Sequence, residues 1–434
     1  MHWLDLGALS NENEKLRELL YDEITRLPTV SLLLSEIQDL LKTHAQIGLL
    51  YIDIVNENEI ERTFGHVVFD QVMGNVAKIL QQLKGISFRE DDRISAVMKN
   101  GNAFVLLLAP SRENRMLLWE DLTQVRKRVE EDLNDSFQSA LPFFHKKFRS
   151  QIGCALLGAA PNIRTERLVF NALEAAREDV SRRELAQRNK QIERLRLLIR
   201  KENIKVLFQP IVDLSSQRAI GFEALSRGPS DMESPEKLFQ LALESNMVWQ
   251  LDRVCRQKAF LAAKALEPEQ LLFLNINPHT VGDPELRKIT ESPLLLYSEL
   301  KPERIVFEIS ERSMVSDVDL FKLVLEYFRA LGFKIAVDDA GSGFYSGLEI
   351  IAKIKPDFVK IDRPLIRQID QDPVRQQLVA TIVNFASQVE ARSIGEGVET
   401  AAEAETLKDI GISFGQGYYF SPPKVLAGPA EDHS

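Results

Sequence analysis

Cysteine is almost missing from this chain. Only Cys154 and Cys255 occur in 434 residues, far apart, with no CxxC spacing and no histidine cluster beside them. That excludes a disulfide framework and a zinc site and leaves two small buried hydrophobes. An excess of positive charge is missing too: 54 Lys plus Arg stand against 64 Asp plus Glu, a net charge of −10. Proteins that live on nucleic-acid phosphates carry the opposite sign, so no DNA or RNA binding is expected. An anionic nucleotide remains compatible with an acidic protein where metal ions mediate the contact. No stretch approaches the roughly 20 uninterrupted apolar residues of a membrane span. The opening M-H-W-L-D-L-G-A-L-S-N-E-N-E has early acids and no long apolar core, unlike a signal peptide. A cytoplasmic protein is expected.

What is present is ordinary globular material, 44% apolar and 27% charged, in a length that predicts two domains. Residues 11–22 read as a short helix before a turn at Leu27-Pro28. The run I-G-L-L-Y-I-D-I-V (47–55) reads as a buried strand, and 65–83 as a helix. Residues 94–108 read as a hairpin turning at Asn100-Gly101, a pair favoured in tight turns, and 148–158 as another strand. This is an α/β domain of about 150 residues. From 165 to 202 there is no Gly or Pro, and Leu185, Ile192, Leu195 and Ile199 fall at heptad-like spacing. A connecting helix follows, packed either on a partner chain or on its own domains. The expected division is an N-terminal helix (1–20), a first domain (21–172), the connecting helix (173–203), a second domain (204–425) and a tail (426–434).

The second domain repeats one pattern. Apolar strands end in a polar group at 205–209, 219–223, 271–275, 304–308, 334–339, 358–362, 393–396 and 413–417. Eight strands in about 220 residues, most separated by helix-compatible sequence, match a (β/α)8 barrel with its chemistry at the strand C-termini. Between Gln209 and Ala219 the chain is too short for a helical crossover, so the first strand should run antiparallel to the second. A modified barrel is expected.

The polar groups at these ends share one chemistry. Glu223, Asn275, Glu308, Asp338 and Asp339 offer oxygen, with no histidine or cysteine, which suits Mg²⁺ or Mn²⁺. Adjacent Asp338 and Asp339 in K-I-A-V-D-D-A-G-S-G-F would normally point to opposite faces. At a strand end bent by glycines they can converge, and two dications about 3.5–4 Å apart would neutralise both acids and clamp a phosphodiester. Blander readings exist for each residue alone. A strand-end Asp often caps a turn, Asn275 can shape one, Lys360 and Asp362 fit a solvated pair, and Glu396 and Glu399 fit a helix start. Taken together the set is harder to explain that way.

The motifs E-A-L-S-R (223–227), N-I-N-P (275–278), E-I-S-E (308–311), D-D-A-G-S-G (338–343), K-I-D (360–362), E-G-V-E-T (396–400) and Q-G-Y (416–418) resemble, in order and spacing, the EAL-domain cyclic-di-GMP phosphodiesterases. The resemblance covers 204 to about 425. It implies hydrolysis of cyclic di-GMP to linear pGpG on a modified (β/α)8 TIM-like barrel, with a homodimer as the usual assembly. It also implies residue roles. Glu223, Asn275, Glu308 and Asp338 would hold a first metal, and Asp338 with Asp339 a second, with Asp362 counted among the metal-side acids. Lys360 and Glu396 would orient and deprotonate the attacking water, and Glu311 would brace the loop after Asp339. Gln209, Leu225, Arg227, Glu399 and Gln416 would contact substrate. Three positions depart from the family: Ala340 where Phe is usual, Gly395 for Ala, and Asn277 for Ser. None is a ligand, but Ala340 is expected to hold the loop of Asp339 less firmly. The alternative is a non-catalytic cyclic-di-GMP receptor; such members lose ligand acids or the loop glutamate, and this chain keeps them.

The first domain resembles a GGDEF diguanylate cyclase more faintly. D-E-I-T-R-L-P-T (22–29) and F-G-H-V-V-F-D (64–70) match its entry and nucleotide-side motifs, with Asp53 as a metal carboxylate and Asp70 as a guanine contact. The signature has become N-G-N-A-F (100–104), with Asn102 and Ala103 in place of both acids, and Val55 and Glu61 replace further site residues. R-E-D-D (89–92) matches an inhibitory R-x-x-D site, although seven residues instead of five separate it from the signature. An inactive cyclase is expected, either a scaffold or a regulatory domain that binds GTP or another nucleotide.

Overall fold

The computed structural model describes residues 20–55, 57–97, 102–109, 117–140, 149–229, 232, 234–291, 300–311, 318–341 and 346–426. The expected N-terminal helix and the Asn100-Gly101 hairpin tip lie outside them. The chain divides into two compact units, Met1–Asn189 and Lys190–Ser434.

The first unit is built on four antiparallel strands, β1 (Gln46–Val55), β2 (Arg93–Ala96), β3 (Ala103–Leu108) and β4 (Arg149–Gly158), in the order β2-β3-β1-β4. Period-2 alternation along β1 feeds two cores. Leu50, Ile52 and Ile54 pack with the helices His66–Gln82 and Trp119–Ala140. Ile47, Leu49 and Tyr51 pack with the helix Val30–Thr43 and the start of the helix Thr165–Arg200. That long helix sits close because β4 carries Gly153 beneath it: a Cβ there would lie 1.8 Å from the Ala176 carbonyl oxygen.

The helix runs Thr165–Arg200, close to the expected 165–202, and its first turns belong to the first sheet, where Val169, Ala172 and Ala176 serve the core. Its far end belongs to the second unit, where Leu195 and Leu198 pack with Leu238 and Leu251. Of the heptad-spaced residues Leu195 is buried, whereas Leu185 is 60% exposed.

The second unit is a closed eight-stranded barrel, β5 (Lys205–Asp213), β6 (Ala219–Arg227), β7 (Leu271–Asn275), β8 (Ile305–Ser310), β9 (Lys334–Ala340), β10 (Phe358–Ile361), β11 (Arg392–Gly395) and β12 (Phe414–Gly415), arranged in chain order. β5 runs antiparallel to both β6 and β12 and the other neighbours are parallel, as the short first connection required. Asp213 makes that connection by accepting from the Ser215 and Ser216 amides at 3.0 and 2.7 Å.

The barrel is plugged by one apolar layer: Ile211, Phe273, Val306, Ala336, Phe358, Ile394 and Phe414. Phe358 meets Phe273 edge-on at 5.2 Å, and the Arg392 guanidinium lies 4.6 Å from the Phe358 ring. Two residues further along each parallel strand, the alternation delivers Asn275, Glu308, Asp338, Lys360, Glu396 and Gln416. On antiparallel β5 the same step runs backwards, from Ile211 to Gln209. The polar residues thus form a second layer stacked on a hydrophobic floor.

Candidate active site

Two of these residues are not at strand ends, contrary to the sequence pattern. β5 and β6 are nine residues long, and Gln209 faces Glu223 in mid-strand. Because β5 is reversed, this is where it crosses the polar layer.

Lys360 occupies the centre. At 1% exposure it is no part of a solvated pair with Asp362. Its Nζ lies 2.7 Å from Glu396 Oε1, 2.8 Å from Glu308 Oε1, 3.2 Å from Glu223 Oε2 and 3.3 Å from Asp338 Oδ1. Burial disfavours its charge, but the four acids together hold its pKa well above the ordinary lysine value. One ammonium cannot serve four carboxylates equally. Burial weighs against the charge of Glu223, but Lys360, Gln416 and Asn275 outweigh it and keep its pKa low. Burial and the Glu223 charge push Glu308 well above the carboxylate range. Burial, with Glu223 and Asp339, raises Asp338 against the pull of Lys360. Glu396 is pushed up to about 8, chiefly by burial, then by Asp338 and Glu223 against Lys360.

The adjacent aspartates converge through a bulge. Between β9 and β10, Val337 pairs with Val359 and Ala340 with Ile361, so β9 carries one extra residue at the acids. Asp339 takes the left-handed conformation, φ 58°, and Gly341 follows at φ 95°. As a result Asp338, Asp339 and Glu396 present oxygens within 4.8 Å of one another. This tight trio differs from the grouping that the family resemblance implies, because Glu396 joins the two aspartates while Glu223 and Glu308 reach them through Lys360. Ser310, paired with Asp338 across β8 and β9, donates to Asp339 Oδ2 at 3.1 Å. Glu311, 1% exposed, accepts from the Gly341 amide at 3.0 Å and ties down the residue after the bulge.

Amides hold the other side. Asn275 donates to Glu223 Oε1 at 2.8 Å, and Gln416 donates to Glu223 Oε2 at 2.7 Å and Gln209 Oε1 at 3.1 Å. Gln209 donates onward to the Ser421 carbonyl. Two cavities flank the layer. One, ≈ 540 Å³, is lined by Leu225, Arg227, Asn275, Asp338 and Asp339, together with Asp252 and Arg256 from the helix Val248–Ala262. The other, ≈ 290 Å³, is lined by Gln209, Glu223, Lys360, Glu396, Glu399 and Gln416, with Arg363 and Tyr418. Leu225 and Asp338 border both.

Asp362 stands apart. It precedes the short helix Arg363–Ile366, is half-buried and lines neither cavity. Glu399 is no helix cap either, since Thr400 and Glu403 form the capping box of Ala401–Ile410. The family departures have local reasons. Ala340 is buried at 1%, and Asn277 caps a turn by accepting from His279. A Cβ at Gly395 would lie 2.7 Å from Leu407 Cδ1. Sequence reasoning missed Ser310, Arg363, Tyr418 and the Asp252–Arg256 pair. Ser310 had a signal, standing inside E-I-S-E on the strand beside Asp338.

In the first unit, Asp53 on β1 faces Ala103 on β3, so the altered signature lies opposite the retained acid. Asp70 is half-buried on the helix His66–Gln82. Asp92 of R-E-D-D is buried and closes a turn, accepting from the Arg89 and Ala109 amides at 2.7 and 2.9 Å. No described helix is long and apolar enough to cross a membrane.

The EAL domain family model matches residues 192–423, and the model described as diguanylate cyclase, GGDEF domain, matches 19–179. Over 441 residues the chain is 24% identical to the bifunctional diguanylate cyclase/cyclic di-GMP phosphodiesterase MucR of Pseudomonas aeruginosa, covering 96% of this chain and 62% of MucR. It is 29% identical over 225 residues to the blue light- and temperature-regulated antirepressor BluF of Escherichia coli, covering 51% and 55% of the two chains. It thus spans somewhat over half of each relative's length. The Xanthomonas citri FimX EAL domain, solved with c-diGMP, shares the fold at a TM-score of 0.52 and 22% identity, covering 57% of this chain and 99% of that one. The chain belongs to the EAL domain family and carries a GGDEF domain ahead of its barrel.

Proposed function

We propose that the barrel hydrolyses cyclic di-GMP to linear pGpG with Mg²⁺ or Mn²⁺, and that the GGDEF domain makes no cyclic dinucleotide. The observation that carries this reading is the ring of four carboxylates around the Lys360 ammonium, two of them buried and two half-buried, set between two cavities. Glu308 Oε2 is buried with no hydrogen-bond partner, a costly state for an acid. The donor set is all oxygen and its negative charge exceeds what Lys360 offsets, so the residues fit hard divalent cations. Glu223, Asn275, Glu308, Asp338 and Asp339 would hold them. Bound there, such ions supply charge to neutralise the phosphodiester and acidify a water.

The chain's own residues do the rest. The two cavities take one nucleotide each, on either side of the acids. Lys360 holds the attacking water beside Glu396, whose raised pKa suits it to take the proton. The water oxygen bonds to phosphorus as one P–O3′ bond breaks, leaving a 5′-phosphate and a free 3′-hydroxyl. Glu311 keeps the bulge of Asp339 in place through Gly341.

The test is incubation of the purified chain with cyclic di-GMP and Mg²⁺ or Mn²⁺. Production of pGpG that falls at least about 1,000-fold in Glu223→Ala supports hydrolysis. The second reading, a non-catalytic receptor, is favoured by Ala340 at a position where the family carries Phe. Tight binding without turnover would select it.

A further inference from the structure

Arg363 has no part in the chemistry described above, yet its placement is tightly built. It lies on the rim of the smaller cavity beside Glu399, Gly397 and Tyr418. Its Nη2 donates to Glu399 Oε1 at 2.5 Å. Gly397, at φ 67°, makes the slot for its stem: a Cβ there would lie 2.3 Å from Arg363 Cγ and 2.7 Å from both Cβ and Cδ. The carboxylate is fixed from its backbone as well, since the Glu399 amide donates to Glu403 Oε2 at 2.7 Å. No second partner of the Glu399 carboxylate occurs among the described residues. The whole loop is stitched to the last strand by Val398 N to Gln416 O and Tyr419 N to Val398 O, both 3.0 Å. The arginine is 57% exposed, so its ion pair adds little to folding. Its effect is on geometry.

We propose that Arg363 is the positioning residue for base selection in this cavity. It occupies one Glu399 oxygen and aims the other at a nucleobase edge that presents two adjacent N–H donors, as guanine does, with Tyr418 beside the ring. Adenine presents no such pair, and hypoxanthine lacks the exocyclic amine. Glu399 is 38% exposed in the free protein; once a base covers it, an acceptor oxygen left without its donor discriminates against the wrong base. This inference rests on the cyclic-dinucleotide reading of the site but not on turnover.

The test compares the full chain with Arg363→Met, which keeps the stem, and Arg363→Lys, which keeps the charge. The probes are cyclic di-GMP and its inosine analogue cyclic di-IMP, followed by calorimetric binding and by steady-state hydrolysis. Arg363→Met should weaken cyclic di-GMP binding and raise KM about tenfold, with kcat within about twofold, and should shrink the preference for guanine over hypoxanthine. Arg363→Lys should recover part of the loss. Glu399→Gln should erase the same preference, and adding Arg363→Met to it should cost little more. An unchanged KM and an unchanged guanine preference in Arg363→Met would overturn the proposal. Wild-type binding without turnover would sink the hydrolase reading and leave this one standing. A wild type that neither binds nor cleaves cyclic di-GMP removes both.

Discussion

The barrel mouth and the first sheet both carry acids on their strands, and they resolve the charge differently. At the barrel mouth, Glu223, Glu308, Asp338 and Glu396 converge on Lys360. In the first sheet, Asp53 faces Ala103, with Arg177 and Glu184 as its charged neighbours. Burial raises the Asp53 pKa, the Arg177 charge opposing it. The barrel concentrates more negative charge than its own cation offsets, whereas the sheet carries one acid that a nearby arginine serves. A surplus of buried carboxylates marks a place designed for further cations, and a lone one does not.

The charge balance of the barrel turns on Lys360. In the metal-free protein, Lys360→Met removes the ammonium that the four acids share, and unfolding in urea should show a loss of about 3–5 kcal/mol. Mn²⁺ should restore much of it by binding the native acids alone. A full loss unaffected by Mn²⁺ would mean that the ring is a salt-bridge network and no metal site.

Acidity sharpens the same contrast. The folded pKa of Glu396 is about 8, above the ordinary value of 4.5, so between these values the native state holds more proton than the unfolded chain. Its contribution is fully present below about pH 4.5 and is lost as pH rises towards 8, with a slope of at most about 1.4 kcal/mol per pH unit. Urea titrations of the metal-free chain should show stability falling over that window. Glu396→Gln should flatten the curve there, and saturating Mg²⁺ should do likewise. A wild-type curve that rises with pH across the window would contradict the assignment.

Much of this was legible in the residues. The eight strands, the reversed first strand and the oxygen-only donor set all followed from runs of apolar residues ending in polar ones, because alternation and connection length are local properties. The bulge was not legible. Nothing in V-D-D-A-G says that Asp339 takes φ 58° instead of Gly341 alone bending the chain; that depends on pairing with β10, where Ile361 meets Ala340 from far along the sequence. The mid-strand position of Gln209 was equally hidden, since the length of β5 depends on its partners. Arg363 was invisible for a different reason: its role follows from the absence of a side chain at Gly397.

The smallest expected effect lies in the first sheet. Ala103 is buried at 3% and shares the core that includes Tyr51, the same face of β1 as Asp53. Ala103→Glu, with Asn102→Asp, would put back the acids that the GGDEF resemblance calls for, directly across from Asp53. Without metal, the new carboxylate should cost about 1–3 kcal/mol at pH 7, and less as the pH falls and the pair takes up a proton. Thermal unfolding with and without Mn²⁺ then separates two outcomes. A melting temperature unmoved by Mn²⁺, with no cyclic di-GMP formed from GTP, means that the sheet has lost the surrounding geometry as well as the acids. A rise in melting temperature with Mn²⁺ means that the two regions differ only in which side chains they carry, and that the first sheet still holds the shape of a metal site.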